Sequence, residues 1–199
     1  MNKPIYIGQA ILDISKYVMY NFYYKVMKPN LRDLTLNYMD TDSFIFETST
    51  DIFEFIRENP RYFDTSNYDK DNCFGIKPQN KKVIGLFKDE LAGKPMTEFV
   101  GLRSKLYAYK YDTRTVTKAK GINKSGMRSI NFEHYFGCLN NIRKKILVKQ
   151  TTFRSFKHKV STIEMNKVAL CGTDDKRKTV EGSDLTLAWG HYCLGMADP

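Results

Sequence analysis

Residues 34–48 read LTLNYMDTDSFIFET, and this stretch decides the fold of the first half of the chain. Apolar side chains alternate with Thr35 and Asn37 before an acidic turn, and alternation resumes after it. This period-two pattern is typical of β-strands, and a short polar run between two strands predicts a tight turn. The segment therefore predicts an antiparallel β-hairpin with Asp40 and Asp42 at or near its tip.

The segments around this hairpin predict an α+β protein. Helical periodicity covers 7–26, 50–58 and 131–147, and strand-like patterns cover 97–102, 105–111 and 148–170. The apolar stripe and sparse charge of the first helix predict that it is buried against a sheet, and a Ser/Thr cap is expected for the second. The stretch 61–82 is polar and predicts a surface loop. Near residue 112 the composition shifts toward lysine, which predicts two parts, 1–112 and 113–199.

The charge of the chain favours a polyanionic partner. Its 199 residues include 32 Lys and Arg against 22 Asp and Glu, a net charge of +10. A basic excess of this size points first to nucleic acid, although a solvated basic surface has the same composition. No two of the four cysteines form a CxxC pair, which argues against a structural zinc site. No apolar run is long enough to span a bilayer and no leader peptide is recognisable, so we expect an intracellular protein without a membrane partner.

The basic residues of the second half concentrate at two predicted positions. Arg143, Lys144 and Lys145 end the third predicted helix, where cations suit the negative end of the helix dipole. The following segment 148–170 alternates β-branched and basic residues and predicts a basic hairpin. These positions are candidates for phosphate contacts.

The acidic turn carries the chemistry that the sequence suggests most directly. Asp40 and Asp42 are separated by one residue, and a strand-to-strand turn can aim both carboxylates at one point. Hard oxygen ligands in this arrangement suit Mg²⁺, which takes one or two protein carboxylates together with substrate phosphates. Considered alone, the pair equally fits an ordinary solvated turn, in which Asp and Thr are common.

The wider sequence resembles the family B DNA polymerases. The string YMDTDS (38–43) is similar to their motif C, Y-x-D-T-D-S, and the helical segment 3–29 resembles the stretch that follows the fingers. Downstream, 87–109 leads into a K-x-Y pattern formed by Lys105 and Tyr107. KAKGI (118–122), INFEHY (130–135) and the closing TLAWGHY (186–192) are similar to segments of the protein-primed branch, including Polinton-type transposons and their viral relatives.

This resemblance implies a fold, a reaction and a set of sites. It implies an antiparallel palm fragment carrying motif C and a long helix (1–112), then a palm-to-thumb segment, a helix-and-hairpin thumb and a tail (113–199). The reaction is template-dependent nucleotidyl transfer from dNTPs by two Mg²⁺ ions. The resemblance assigns these sites: Asp42 and Asp40 as catalytic metal ligands; Tyr38 and Thr41 at the nucleotide; Lys105, Tyr107, Lys118, Lys120 and Gly121 at the DNA. The basic cluster Arg143, Lys144 and Lys145 is a further DNA-binding candidate by its charge.

The partners implied are primer–template DNA and dNTPs, and a terminal priming protein is left open as a further one. The implied location is the nucleus, if the host is eukaryotic, or a viral replication site.

Two family motifs do not occur in this sequence. Motif A, D-x-x-S-L-Y-P, supplies the second metal-bridging aspartate, and motif B, K-x₃-N-S-x-Y-G, supplies a lysine for the incoming phosphates. We therefore expect a polymerase fragment that is inactive alone, with apolar surface exposed where the upstream palm would pack. Two alternatives stay open: a non-catalytic nucleic-acid-binding remnant of a mobile element, and a metal-dependent nuclease that uses Asp40 and Asp42.

Overall fold

The computed structural model describes residues 3–173, 177–183, 185–188 and 190–194. The chain divides into two compact units, Met1–Thr97 (unit 1) and Glu98–Pro199 (unit 2). The composition-based boundary at residue 112 falls in the turn between two strands of unit 2. The predicted α+β class is confirmed: a few helices accompany several small, mostly antiparallel sheets. No helix among the described residues is both long and apolar enough to cross a membrane.

Unit 1 consists of one long helix, a hairpin and short elements around an aromatic core. Its elements are α1 (Ile5–Phe22), a π-helical turn (Tyr23–Met27), α2 (Lys28–Asn30), β1 (Thr35–Asp40), β2 (Ser43–Glu47), α3 (Ile52–Glu58), a 3₁₀ turn (Pro60–Tyr62), β3 (Phe63–Asp64) and β4 (Phe87–Lys88). The predicted hairpin is therefore confirmed, with β1 antiparallel to β2 and Thr41 and Asp42 between them. β3, which lies in the stretch 61–82 where a loop was predicted, forms a short parallel pair with β4.

The core of unit 1 is built from aromatic side chains. Phe22 stacks on Phe87 with ring centroids 4.0 Å apart and meets Phe63 edge-on at 6.0 Å. The buried members are Phe22, Met27, Leu31, Phe55, Ile56, Phe63, Tyr68 and Ile76. Asp51 caps α3, because its carboxylate accepts from the Phe53 and Glu54 N–H groups. The Ser/Thr cap predicted there was wrong, because the cap is Asp51 and α3 begins at Ile52.

The prediction that α1 is buried along its length was wrong. Of its side chains only Met19 and Phe22, near its C-terminal end, are buried. The apolar stripe of the N-terminal half faces solvent, with Ile7 49% and Ile11 62% exposed. Periodicity predicts which face of a helix is apolar, but whether another element covers that face depends on the rest of the fold.

Unit 2 combines a three-stranded sheet, two short helices and a long ribbon. Its elements are β5 (Met96–Arg103), whose first residues precede the division, β6 (Leu106–Tyr111), β7 (Arg114–Ala119), α4 (Lys124–Met127), α5 (Phe132–Asn140), β8 (Lys145–Phe156), β9 (Lys159–Cys171), β10 (Arg177–Thr179), β11 (Thr186–Ala188) and a 3₁₀ turn (Tyr192–Leu194). Sheet order is β5-β6-β7, and β8 and β9 form an antiparallel hairpin that we call the ribbon. The tail resemblance 186–192 covers β11 and the following turn, except Trp189, which lies outside the described residues.

Unit 2 packs one face of its three-stranded sheet and the base of the ribbon around α5. Tyr135 and Cys138 of α5 are fully buried, as is Leu170 of β9. They pack with Leu106 and Ala108 of β6 in one apolar cluster. Burial raises the pKa of both the Tyr135 hydroxyl and the Cys138 thiol above their usual ranges. This cluster leaves the opposite face of β6 and β7 to carry the polar and aromatic side chains.

The helix predicted over 131–147 is shorter than expected. Asn131 caps α5 and His134 returns a bond to the cap, but the helix ends at Asn140. Arg143, Lys144 and Lys145 therefore do not end a helix: the first two lie in a turn and the third opens β8. The physical reason lies at Asn141, whose backbone is extended and whose side chain accepts from the Arg143 N–H.

Candidate nucleic-acid interface and acidic turn

The acidic turn of unit 1 has a strained backbone. Thr41 has φ +54°, an uncommon conformation for a β-branched residue. The Asp42 N–H donates to the Asp40 carbonyl at 2.5 Å across Thr41, which makes a three-residue γ-turn. Such a conformation costs on the order of 1–3 kcal/mol and persists only where surrounding contacts fix it. The strain therefore marks this turn as a candidate functional site.

The contacts of the turn differ between its two carboxylates. The Asp40 carboxylate is partly buried and accepts from the Thr41 hydroxyl at 3.2 Å and, at the other oxygen, from the Tyr38 hydroxyl at 3.4 Å. The Asp42 side chain is exposed, and no described residue bonds to it. Asp42 is therefore the carboxylate more open to an external ligand, and Asp40 is the one oriented by its neighbours.

A serine of α1 also supports the turn. The Ser15 hydroxyl donates to the Thr41 carbonyl at 3.3 Å, so the long helix holds the hairpin tip of the same unit. Ser43 adds a local bond from its hydroxyl to the Asp40 carbonyl at 3.3 Å. The residues predicted for metal and nucleotide, Tyr38, Asp40, Thr41 and Asp42, thus meet within one hairpin tip.

The turn fits a divalent cation in part. Asp40 and Asp42 provide two carboxylates, which Mg²⁺ accepts when water and substrate phosphates fill its remaining positions. Within 3–173, 177–183, 185–188 and 190–194, however, no cluster of three or more His, Cys, Asp or Glu side chains could hold a metal. The arrangement therefore fits a shared site, in which a further ligand comes from elsewhere, better than a complete protein site.

In unit 2, the register of the sheet brings the predicted DNA-binding residues of β6 and β7 to one face. Tyr107 lies directly opposite Lys118, and directly opposite residues of an antiparallel pair project from the same face. One step further, the Lys120 N–H donates to the Lys105 carbonyl at 3.1 Å. Four predicted residues from the two arms of this hairpin therefore lie at one end of one strand pair.

Aromatic rings continue this face along β6. Tyr107 and Tyr109 stack with centroids 6.3 Å apart, and Tyr109 and Tyr111 follow at 6.0 Å. Arg114 lies opposite Tyr111 on β7, and its side chain is exposed. We call this row of tyrosines with the basic residues across from it the aromatic–basic face. Alternating rings and cations are the usual ingredients of a surface that contacts bases, sugars and phosphates.

The turn at Gly121 lies at the end of this face, and hydrogen bonds from other elements of unit 2 hold its backbone. Gly121 has φ +94°, which side-chain-bearing residues rarely adopt. The buried Tyr135 hydroxyl donates to the Lys118 carbonyl at 2.9 Å. The Lys167 ammonium and the Gln150 side-chain amide donate to the Gly121 carbonyl at 2.8 and 3.5 Å. The backbone of the KAKG segment is therefore held by residues of α5 and of the ribbon.

The basic cluster at residues 143–145 lies elsewhere in unit 2. Lys145 pairs with Cys171 at the base of the ribbon, and the Lys144 N–H donates to the Asn141 carbonyl. No contact among the described residues joins this cluster to the aromatic–basic face. The structure therefore separates the twelve predicted site residues into three groups: the acidic turn, the aromatic–basic face with its Gly121 turn, and the 143–145 cluster.

Sequence reasoning missed Ser15, Tyr135, Gln150 and Lys167. Each acts on a residue at least 17 positions away in the chain, so no local pattern indicates the contact. Tyr135 is part of the quoted INFEHY segment, yet nothing in that segment indicates that its hydroxyl reaches β7. A buried glutamine between two strand residues is a signal in principle, because a buried amide needs partners.

The comparisons with known proteins identify no relative. No family model matches the chain, and neither a curated protein nor a solved structure is similar to it. The functional assignment therefore depends on the residues and the geometry described above.

Proposed function

We propose that this chain is a palm-and-thumb part of a protein-primed family B DNA polymerase that binds primer–template DNA. The observation that carries the proposal is that Lys105, Tyr107, Lys118 and Lys120 lie at one end of the β6–β7 strand pair. These residues were assigned to DNA by resemblance and by their side-chain chemistry, and their position at one end of one strand pair supports that assignment. The proposed location is wherever the corresponding DNA is replicated.

The chemistry of the aromatic–basic face suits a nucleic-acid backbone. An ammonium such as that of Lys118 or Lys120 is a compact charge for a phosphate oxygen. The Tyr107 ring can pack on a sugar while its hydroxyl bonds to a phosphate. Gly121 lacks a Cβ, so a phosphate can approach the turn closely. All of these contacts are independent of base identity, and little sequence preference is expected.

The acidic turn supplies part of a nucleotidyl-transfer site. Asp42 and Asp40 would hold Mg²⁺, which when bound neutralises charge on the phosphates during displacement. Ser15 and Thr41 hold the turn in a strained conformation, and the Tyr38 and Thr41 hydroxyls orient the Asp40 carboxylate. Because the described residues offer no third carboxylate nearby, the chain alone is expected not to extend a primer.

Binding is tested by salt titration of fluorescence anisotropy on two unrelated duplexes with recessed ends. If about four phosphates are neutralised, log K should fall with log salt with a slope of about −3 to −4. Lys120→Ala should flatten this slope by roughly one unit on both duplexes. Lys81→Ala, which removes an exposed lysine from unit 1, is the matched control and should leave the slope unchanged. Affinity that does not depend on salt would contradict the proposal.

Catalysis is tested by primer extension with Mg²⁺ and dNTPs, using the chain alone and with a supplied motif A–motif B polypeptide. We expect no extension by the chain alone. Adding the motif A–motif B polypeptide should restore extension, and Asp42→Ala should abolish it. The second candidate function is a non-catalytic DNA-binding remnant, which is favoured by the lack of a third carboxylate near the turn in the described chain. DNA binding without extension under both conditions would select that candidate.

A further inference from the structure

The Gly121 turn meets the ribbon at two side chains, the Gln150 amide and the shorter contact of the Lys167 ammonium. The Lys167 Nζ donates to the Gly121 carbonyl at 2.8 Å. A Cβ added at Gly121 would lie 3.1 Å from the same nitrogen, so Lys167 occupies the side of the turn that glycine leaves bare. A phosphate that approaches this turn closely would therefore meet the Lys167 ammonium as well as the turn.

The position of Lys167 is fixed by the packing of the ribbon. Lys167 lies opposite Val148, whose side chain is buried, on the same face as the buried Gln150. Gln150 accepts from the Asn123 N–H at 3.1 Å, and the Asn123 side-chain amide donates to the Thr151 carbonyl at 3.2 Å. Hydrogen bonds thus join the ribbon to Asn123, just after the Gly121 turn, and this pairing places Lys167 beside Gly121.

The charge of Lys167 is not neutralised within the described part of the chain. No acidic residue among the described residues pairs with it, and its side chain is partly exposed. An ammonium has three donors, and the Gly121 carbonyl uses one of them. Lys149, on the outer face of the same ribbon, differs: its ammonium lies 2.6 Å from the Glu164 carboxylate. The two lysines therefore have the same chemistry and different partners.

We propose that Lys167 is a further phosphate-binding residue, which the ribbon contributes to the Gly121 turn for a duplex DNA backbone. The inference depends on the proposed function, since it adds one contact to the same DNA interface. Lys167 adds to the Gly121 turn a cation that comes 46 residues later in the chain. Binding of DNA at the turn then also engages the ribbon.

The test compares Lys167→Met with Lys149→Met in the anisotropy salt titration on the recessed duplex. Lys167→Met should flatten the salt slope by about one unit, so its loss of affinity is roughly fourfold larger at 50 than at 200 mM salt. Lys149→Met removes the same charge from the opposite face and should leave the slope near that of the wild type. Equal slopes for the two variants would overturn the assignment of Lys167 while the proposed function stands.

Two further variants separate charge from a purely structural role. Lys167→Gln keeps a donor for the Gly121 carbonyl and removes the charge, and it should flatten the slope as Lys167→Met does. Lys167→Arg keeps the charge and should retain the wild-type slope. A wild-type slope in Lys167→Gln would mean that Lys167 only holds the turn, which overturns the proposal. No salt-dependent binding by the folded wild type would overturn the proposed function and this assignment together.

Discussion

The acidic turn of unit 1 and the Gly121 turn of unit 2 both place charged side chains at the end of a strand pair, but different contacts shape them. The acidic turn is shaped mainly by close neighbours in the chain: the Thr41 and Tyr38 hydroxyls bond to Asp40, and the Asp42 N–H closes a γ-turn. Ser15 of α1 adds a hydrogen bond to the Thr41 carbonyl. The Gly121 turn receives its anchors from α5 and from the ribbon.

A short sequence motif describes a site well when the contacts that shape the site lie within the motif itself. A motif of six residues contains most of what shapes the acidic turn, including the strained threonine and its hydrogen-bond partners. The KAKG segment contains only the residue types, because its backbone is fixed by side chains that lie 17 to 46 positions away. Substitutions should therefore affect the two turns in opposite ways. Two variants test this difference directly, and a third tests a carboxylate elsewhere in unit 1.

The largest effect is expected from removing an anchor of the Gly121 turn. Tyr135→Ala leaves a cavity in a fully buried site and the Lys118 carbonyl without its donor. Losses of roughly 3–5 kcal/mol in unfolding free energy are typical of such a change. Chemical denaturation followed by circular dichroism measures it. The neighbouring Phe136→Ala removes a half-exposed ring and should cost less than about 1 kcal/mol; similar losses for both variants would refute the anchoring role.

A smaller effect of opposite sign is expected at the acidic turn. Thr41→Gly relieves the strain at φ +54°, against a lost Thr41–Asp40 hydrogen bond and a more flexible unfolded chain. We expect a net gain in unfolding free energy of at most about 1 kcal/mol. Thr35→Gly, at an exposed position of β1, has no such strain to relieve and should lose about 1 kcal/mol. If Thr41→Gly lost as much unfolding free energy as Thr35→Gly, the turn would not be strained.

The smallest effect concerns Asp64, which combines the two kinds of contact. A hydrogen bond from the Ser66 side chain, then backbone N–H bonds from Lys82 and Ser66, lower the pKa of Asp64 to about 2. Its contribution to stability is therefore present above the unfolded-state pKa of about 3.9 and is lost as the pH falls toward 2. The denaturation midpoint of the wild type should exceed that of Asp64→Asn at pH 5, and this difference should shrink at pH 2.5. Asp71 is exposed, so Asp71→Asn should show the same fall in denaturation midpoint between pH 5 and pH 2.5 as the wild type. An equal fall in Asp64→Asn would contradict the stabilising role of the Asp64 carboxylate.

The strength of the sequence predictions followed the range of the interactions on which they depended. The hairpin of residues 34–48 and the strands near 97–111 were predicted because alternation is a property of the strand itself. The burial of α1 and the length of the helix beginning near Asn131 were mispredicted. The burial of α1 depends on which elements cover its apolar face, and the length of α5 depends on competition between the helix and the ribbon for residues 141–147.

The sequence by itself determined the acidic hairpin, the α+β composition and the basic character of the second half, because local patterns and charge are properties of the chain. Strand pairing placed Tyr107 opposite Lys118, with Lys105 and Lys120 at the same end of the strand pair, and tertiary packing brought Lys167 to Gly121. The physical reason is register: strand pairing sets which residues stand opposite each other, and a slip of one residue would turn every side chain to the other face.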